Sequence, residues 1–239
     1  MTETFRDFRL EAERLKEAYK GSISLLIGTE IEFINQDYAN HIQQLRSESD
    51  YVVGSLHHVN SVPIDFSPEL YQTALAGAKN SLQTLFVQYF DEQWEMLQAI
   101  QPEVVGHFDL IRIFADQSVA DQILLEPQVW QRIVRNVDYI IGYSGLFEIN
   151  SRSWKKGLKD AYPQRNIIQI IKEKGGKFTL SDDCHGPNDV GLFYEKLPNY
   201  LLETGIDTIH YLTRQEGKVI VKEHKDILKD EFWTKIQNW

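Results

Sequence analysis

Four short apolar runs in this chain end in residues that ligate metals, and they are scattered over more than half of its length. They read LLIGTEIEF (Leu25–Phe33), YVVGSLHHV (Tyr51–Val59), EVVGHFDL (Glu103–Leu110) and KFTLSDDCHG (Lys177–Gly186). Each has the length and β-branched content of a buried strand. Groups so far apart in sequence meet only if the strands lie side by side with their ends at one face. That is the geometry of a (β/α) barrel, whose working residues come from the ends of several strands.

The segments between these runs alternate in type. Thr2–Lys20 has the pattern of an amphipathic helix, with Phe5, Phe8, Leu15 and Tyr19 among its apolar positions. Strands are expected at Ser24–Glu32, Asp50–His58, Val104–His107 and Phe178–Ser181. Helices are expected at Asn35–Arg46, Pro68–Ala99 in two pieces, Gln128–Asn136, Asn166–Lys174 and Val190–Thr204. Tyr139–Tyr143 and Leu146–Asn150 are apolar runs around a Ser-Gly turn. Thr208–Leu212 and Lys218–Lys222 flank Thr-Arg-Gln-Glu-Gly and read as a hairpin. Strands alternating with helices imply a mostly parallel sheet. No linker or repeat divides the chain, so residues 1–239 read as one domain.

Charge and cysteine usage narrow the functional classes. A net charge of −10 argues against non-specific binding to nucleic acid or anionic membranes. It leaves room for a small anion at a locally positive or metal-bearing site. The single cysteine, Cys184, excludes an internal disulfide and suits a reducing compartment. No apolar stretch has the length of a membrane span, and the N-terminal sequence lacks a signal-peptide core. The cytosol is the expected location, and the oligomeric state is not legible.

Asp183 and His185 are two apart, so both can point the same way from an extended segment. Carboxylate plus imidazole suits Zn, Fe or Mn. A lone D-x-H reads equally as a surface turn. His107, just past a buried strand, reads either as a ligand or as a core histidine. His57 and His58 point to opposite faces of a strand, so at most one faces the site. Glu30 and Glu32 share a face, and one of them can be solvated. His41, His210 and His224 lie outside the pattern and read as surface or packing residues.

The motifs G-x-E (Gly28–Glu30), G-S-x-H-H-V-N (Gly54–Asn60), V-G-H-F-D-L (Val105–Leu110), E-I-N (Glu148–Asn150) and S-D-D-x-H-G (Ser181–Gly186) occur in this order. With the phrases NSVPIDF and DAYP, they resemble the polymerase-and-histidinol-phosphatase (PHP) family, most closely its fungal histidinol-phosphatase branch. The resemblance covers nearly the whole chain. It implies a distorted (β/α)7 barrel, a cluster of up to three divalent transition metals, and hydrolysis of L-histidinol phosphate to L-histidinol and phosphate in histidine biosynthesis. Position by position it implies metal ligands at Glu30, His57, His107, Asp183 and His185, the last two also catalytic. It implies that Arg152, Lys155 and Lys156 meet the substrate phosphate. Lys155 stands where the family usually has Arg, giving a point charge in place of a bidentate fork.

The family opens with an H-x-H strand that this sequence lacks, and the first strand here matches the family's third. The expectation is therefore a chain without the first two β/α units, Met1 being either an internal methionine or the start of an expressed fragment. Ser24–Glu32 is then an exposed apolar edge, which predicts poor solubility and little activity for the chain alone. Two other classes stand beside the phosphatase: a non-catalytic fragment binding metal or phosphate, and a phosphoesterase acting on another substrate such as nucleic acid.

Overall fold

The computed structural model describes residues 3–34 and 39–236. Five parallel strands form the main sheet: β1 (Gly28–Glu32), β2 (Tyr51–Ser55), β5 (Val104–Val105), β6 (Leu146–Asn150) and β7 (Lys177–Ser181), in that spatial order. The expected parallel sheet is present, with β1 at its edge. The strand expected from Ser24 is shorter, and residues 23–27 approach it as irregular chain. Asp50 holds that approach, accepting from the Ile27 N–H at 2.9 Å.

Alternation along the strands divides the sheet into two faces. Ile31, Val52, Val105, Phe147, Ile149 and Phe178 enter the main core. That core is filled by helices α2 (Ala39–Ser47), α4 (Leu82–Ile100), α6 (Pro127–Gly142) and α7 (Arg165–Glu173). The opposite face is lined by Tyr51, Val53, Val104, Glu148, Thr179 and Ser181, which wall a cleft of about 310 Å³. Leu212 reaches this cleft from an antiparallel hairpin, β8 (Ile209–Gln215) and β9 (Lys218–His224). The hairpin contacts β7, and its Arg214 forms an ion pair with Asp50 at the start of β2.

The helical patterns are largely observed. α1 (Glu3–Ala18) has no buried residue and is tied down by ion pairs from Arg9 to Glu48 and from Lys16 to Asp50. Pro68–Ala99 divides into α3 (Pro68–Gly77) and α4, each capped by a serine, Ser67 and Ser81. Several boundaries differ, among them the strand expected through His107, which ends at Val105. Tyr139–Gly142, expected as part of a separate run, is the end of α6, because its apolar residues continue that helix's buried stripe. The helix expected from Val190 begins only at α8 (Leu197–Thr204). Gly191 and Phe193 have positive φ, which α-helix excludes, and residues 187–196 form 3₁₀ turns instead. The hairpin turn contracts to Glu216-Gly217, both with positive φ, as a tight two-residue turn requires. The strand expected through His58 ends at Ser55, and His58 instead starts a second hairpin. The expected helix start at Asn35 and the side chain of His41 lie outside the described residues.

That second hairpin is β3 (His58–Val59) and β4 (Val62–Pro63), turning at Asn60-Ser61, again with positive φ at both positions. Glu92 of α4 accepts from the Asn60 N–H at 2.8 Å and anchors its tip. No helix among the described residues is long and apolar enough to cross a membrane.

Candidate active site

Glu30 sits in the middle of β1, His57 two residues past β2, and His107 two residues past β5. Because β1, β2 and β5 are neighbours, these groups converge. His57 Nε2 lies 3.1 Å from His107 Nε2. Glu30 Oε1 is 3.3 Å from His107 Nε2 and 3.7 Å from His57 Nε2. A Cβ at Gly106 would stand 2.5 Å from Ser55 Oγ and 3.1 Å from Val53, so the residue before His107 must be glycine for β5 to lie this close to β2. The other two candidates of the same runs turn away. His58 Nδ1 meets Glu32 Oε1 at 3.0 Å, and that pair stands apart from the cluster.

The electrostatics of the three groups suit a cation. Burial alone would pull the His107 imidazole down, but the hydrogen bond and charge of Glu30 outweigh it and push it up to about 9. Burial would raise Glu30, yet His107 and His57 hold it down at about 2. His57 is lowered by burial and by the charge of His107. The carboxylate therefore favours positive charge at the two imidazoles, the place where a divalent metal would sit. His107 Nδ1 is buried without a hydrogen-bond partner among the described residues. Glu30, His57 and His107 are the one set among the described residues whose ligand atoms all lie within 4.8 Å of one another. Two imidazoles and a carboxylate fit Zn, Fe or Mn, and three protein ligands leave a position open.

A measurable consequence follows from the raised His107. Metal binding requires its neutral form, so loading the metal-free chain near pH 7 expels a proton. Apparent affinity should rise about tenfold per pH unit up to roughly pH 9, where an ordinary histidine would level off near ~6.5. Calorimetry in buffers of different ionisation enthalpy reads this directly. Uptake without proton release at pH 7 would remove His107 from the ligand set.

The opposite wall comes from β6 and β7. His185 Nε2 is 3.0 Å from Asp183 Oδ1, and His185 is 64% exposed. Asp183 Oδ2 accepts from Asn150 Nδ2 at 3.1 Å. The same amide donates to Glu148 Oε2 at 3.1 Å, and Glu148 Oε2 also accepts from the His107 backbone N–H at 2.6 Å. Burial pushes the Glu148 carboxyl up. Glu148 and Asn150 thus link the two walls from beneath. Arg152 donates to Asp189 Oδ2 and to the Asp183 carbonyl, both at 2.9 Å.

These walls enclose a cleft of about 70 Å³. Glu30, His57, His107, Asp183, His185, Arg152 and Lys156 all line it, as four strand ends meeting at one face require. Lys155 does not line it and pairs with Asp189 Oδ1 at 2.9 Å. Asp65, Tyr162, Leu110 and Ile113 complete the lining and were not singled out from sequence. The signal for Asp65 and Tyr162 was present, since both fall in the quoted phrases NSVPIDF and DAYP.

A cleft with a three-donor metal group on one side and Arg152 and Lys156 on the other can hold a phosphate ester between positive charges. Comparison with known proteins bears on which ester. The sequence model of the PHP domain matches residues 2–152. A Schizosaccharomyces pombe protein that carries the name "Probable histidinol-phosphatase" is 41% identical over 237 residues, covering 97% of this chain and 76% of that protein. The histidinol-phosphatase of Saccharomyces cerevisiae is 30% identical, covering 98% of this chain and 80% of that protein. Among solved structures, histidinol phosphate phosphatase from Lactococcus lactis subsp. lactis, complexed with zinc, L-histidinol and phosphate, superposes with a TM-score of 0.63. That match covers 90% of this chain and 79% of the other at 15% identity, a likeness of fold.

Proposed function

The chain belongs to the PHP domain family, and from this premise we propose that it is a metal-dependent phosphatase that hydrolyses L-histidinol phosphate to L-histidinol and phosphate. The observation that carries the reading is one cleft holding both the Glu30–His57–His107 group and the guanidinium of Arg152. The substrate follows from relatives that match almost the whole chain.

A metal held by Glu30, His57 and His107 would supply positive charge at the phosphoryl group and a water acidic enough to attack it. The chain's own residues orient the ester. Arg152 offers a planar fork to the phosphate oxygens, and its other contacts, to Asp189 and the Asp183 carbonyl, fix that fork in place. Lys156 adds a second cation from the same turn. Lys155 acts at one remove, by pairing with the Asp189 that steadies Arg152. Asp183 and His185 are donors of the kind that hold a further cation. With no cation on the pair, His185 is held by Asp183 through Nε2 and exposed to the cleft, so its Nδ1 is the ring nitrogen that can hand a proton to the departing alkoxide.

The wider reading is a single domain over 1–239 whose five-stranded sheet is an arc of a distorted (β/α)7 barrel. The likeness to a solved histidinol phosphate phosphatase supports it. The net charge of −10 favours a small phosphomonoester over nucleic acid, and the single cysteine suits a reducing, cytosolic compartment. The test is phosphate release by the metal-loaded chain from L-histidinol phosphate against a panel of nucleotides. Histidinol phosphate should be preferred by orders of magnitude, and Arg152→Ala should raise its KM about 10–100-fold through loss of a charge-assisted pair. Equal or faster turnover of a nucleotide would refute the assignment.

A further inference from the structure

We propose that Asp65 and the hydroxyl of Tyr162 form the subsite for the ammonium group of the substrate's amino-alcohol half, making Asp65 the residue that selects an aminated phosphomonoester. The inference rests on the substrate reading above and adds to it how the leaving group is recognised.

Every other charged group of the cleft is accounted for. Glu30, His57 and His107 face one another. Asp183 is engaged by Asn150 and His185, and Arg152 and Lys156 form the cationic wall. Asp65 remains. It lines the cleft and is half-buried, and its carboxylate has no hydrogen-bond or ion-pair partner among the described residues. It is not one of the three metal donors. Tyr162 lines the same cleft at 3% exposure, and its hydroxyl is buried with no hydrogen-bond partner among the described residues. The two are near enough to influence each other electrostatically. A buried hydroxyl and a half-buried carboxylate left unpaired are costly unless a ligand satisfies them.

The carboxylate is also held in position. Its neighbour Ile64 is fully buried and donates its N–H to the His57 carbonyl at 2.9 Å. Ser67, two residues on, caps α3. Asp65 is therefore pinned on both sides within a short segment, so little ordering entropy opposes binding. Two acceptors, one anionic, match a primary ammonium, which brings three donors and a positive charge. Phosphate and ammonium of the substrate then meet opposite charges in one cleft, Arg152 and Lys156 for the first and Asp65 for the second.

The experiment compares L-histidinol phosphate with its analogue in which hydrogen replaces the amino group, using the zinc-loaded full chain. In the unaltered protein kcat/KM should favour the amine. Asp65→Asn should shrink that preference about ten- to a hundredfold, mainly through KM, as loss of a charge-assisted hydrogen bond does. Asp65→Glu should restore part of it, and Tyr162→Phe should shrink it less. Zinc content, measured alongside, separates recognition from metal binding. An unchanged preference in Asp65→Asn overturns the proposal. So does an equal fall on both substrates with zinc lost, which would make Asp65 a metal ligand. An unaltered protein that turns over neither compound fails the phosphatase reading itself. One that turns over both equally keeps the phosphatase and excludes an ammonium subsite.

Discussion

Glu30→Gln is expected to empty the metal site and lower turnover of histidinol phosphate by on the order of 10³-fold, the scale of losing charge stabilisation at a phosphoryl group. The substitution keeps size and shape and removes the one negative charge among the three donors. Two consequences reinforce each other. A neutral amide is a poor ligand for a divalent ion. The two imidazoles, 3.1 Å apart, also lose the carboxylate that balances the cation between them. Glu30 is 46% exposed, so the fold should tolerate the change within about 1 kcal/mol. Glu32→Gln is the matched control, because Glu32 is equally exposed on the same strand but pairs with His58 outside the cluster. Elemental analysis and kinetics on both variants decide the matter. Equal metal in the two proteins would remove Glu30 from the site.

Asp109→Ala should be the most destabilising single change near the cleft, costing about 3–5 kcal/mol. Asp109 is fully buried, and its Oδ2 lies 2.6 Å from Arg112 Nε and accepts from the Gln164 N–H at 3.0 Å. The Arg112–Asp109 approach is an ion pair without a well-aimed N–H, since Arg112 Nε has no hydrogen-bond partner among the described residues. Burial pushes the Asp109 carboxyl up against the pull of Arg112, and the desolvation of a buried pair offsets much of its Coulombic gain. Removing one member is nonetheless severe, because a guanidinium is left buried and uncompensated. Arg112 also donates to the Ala161 carbonyl at 3.0 Å and lies over the Tyr162 ring at 5.2 Å. Losing its partner should therefore disturb the wall that carries Tyr162. Against a total stability of ~5–15 kcal/mol, the melting temperature should fall by about 10 °C. Asp109→Ala with Arg112→Met should recover part of the loss, since the double change removes both charges. A single variant melting within about 1 °C of the parent would show that the pair has no such structural role.

Much of the candidate site was legible before the fold was known. A strand that ends in a ligand residue announces itself by apolar periodicity followed by a change of residue type. Four such strands in one chain imply a parallel sheet with a common functional end. Glu30, His57, His107, Asp183 and His185 stood out as ligand types at strand ends, the family resemblance chose His57 over His58 and implied Arg152 and Lys156, and all seven line one cleft. Sequence could say that only one of His57 and His58 faces the site. The choice between them depends on where β2 stops and the Asn60-Ser61 turn begins, because that turn places His58 against Glu32. Lys155 illustrates the opposite limit. Its residue type suits phosphate, but the 3₁₀ turn Ser151–Lys156 directs it to Asp189, a residue more than thirty positions away.

What the sequence determined by itself was the set of chemical types at strand ends and the layered architecture, because both depend on local period and composition. Only the tertiary structure decided which of those groups touch. Asn150 bridging Glu148 and Asp183, Arg112 buried on Asp109, and Asp65 set beside Tyr162 with no partner among the described residues are arrangements between separate strands and loops. No local pattern encodes them. They follow from strand order and loop closure, which bring distant side chains to within a few ångströms and fix whether a charge is paired, buried or left open to a ligand.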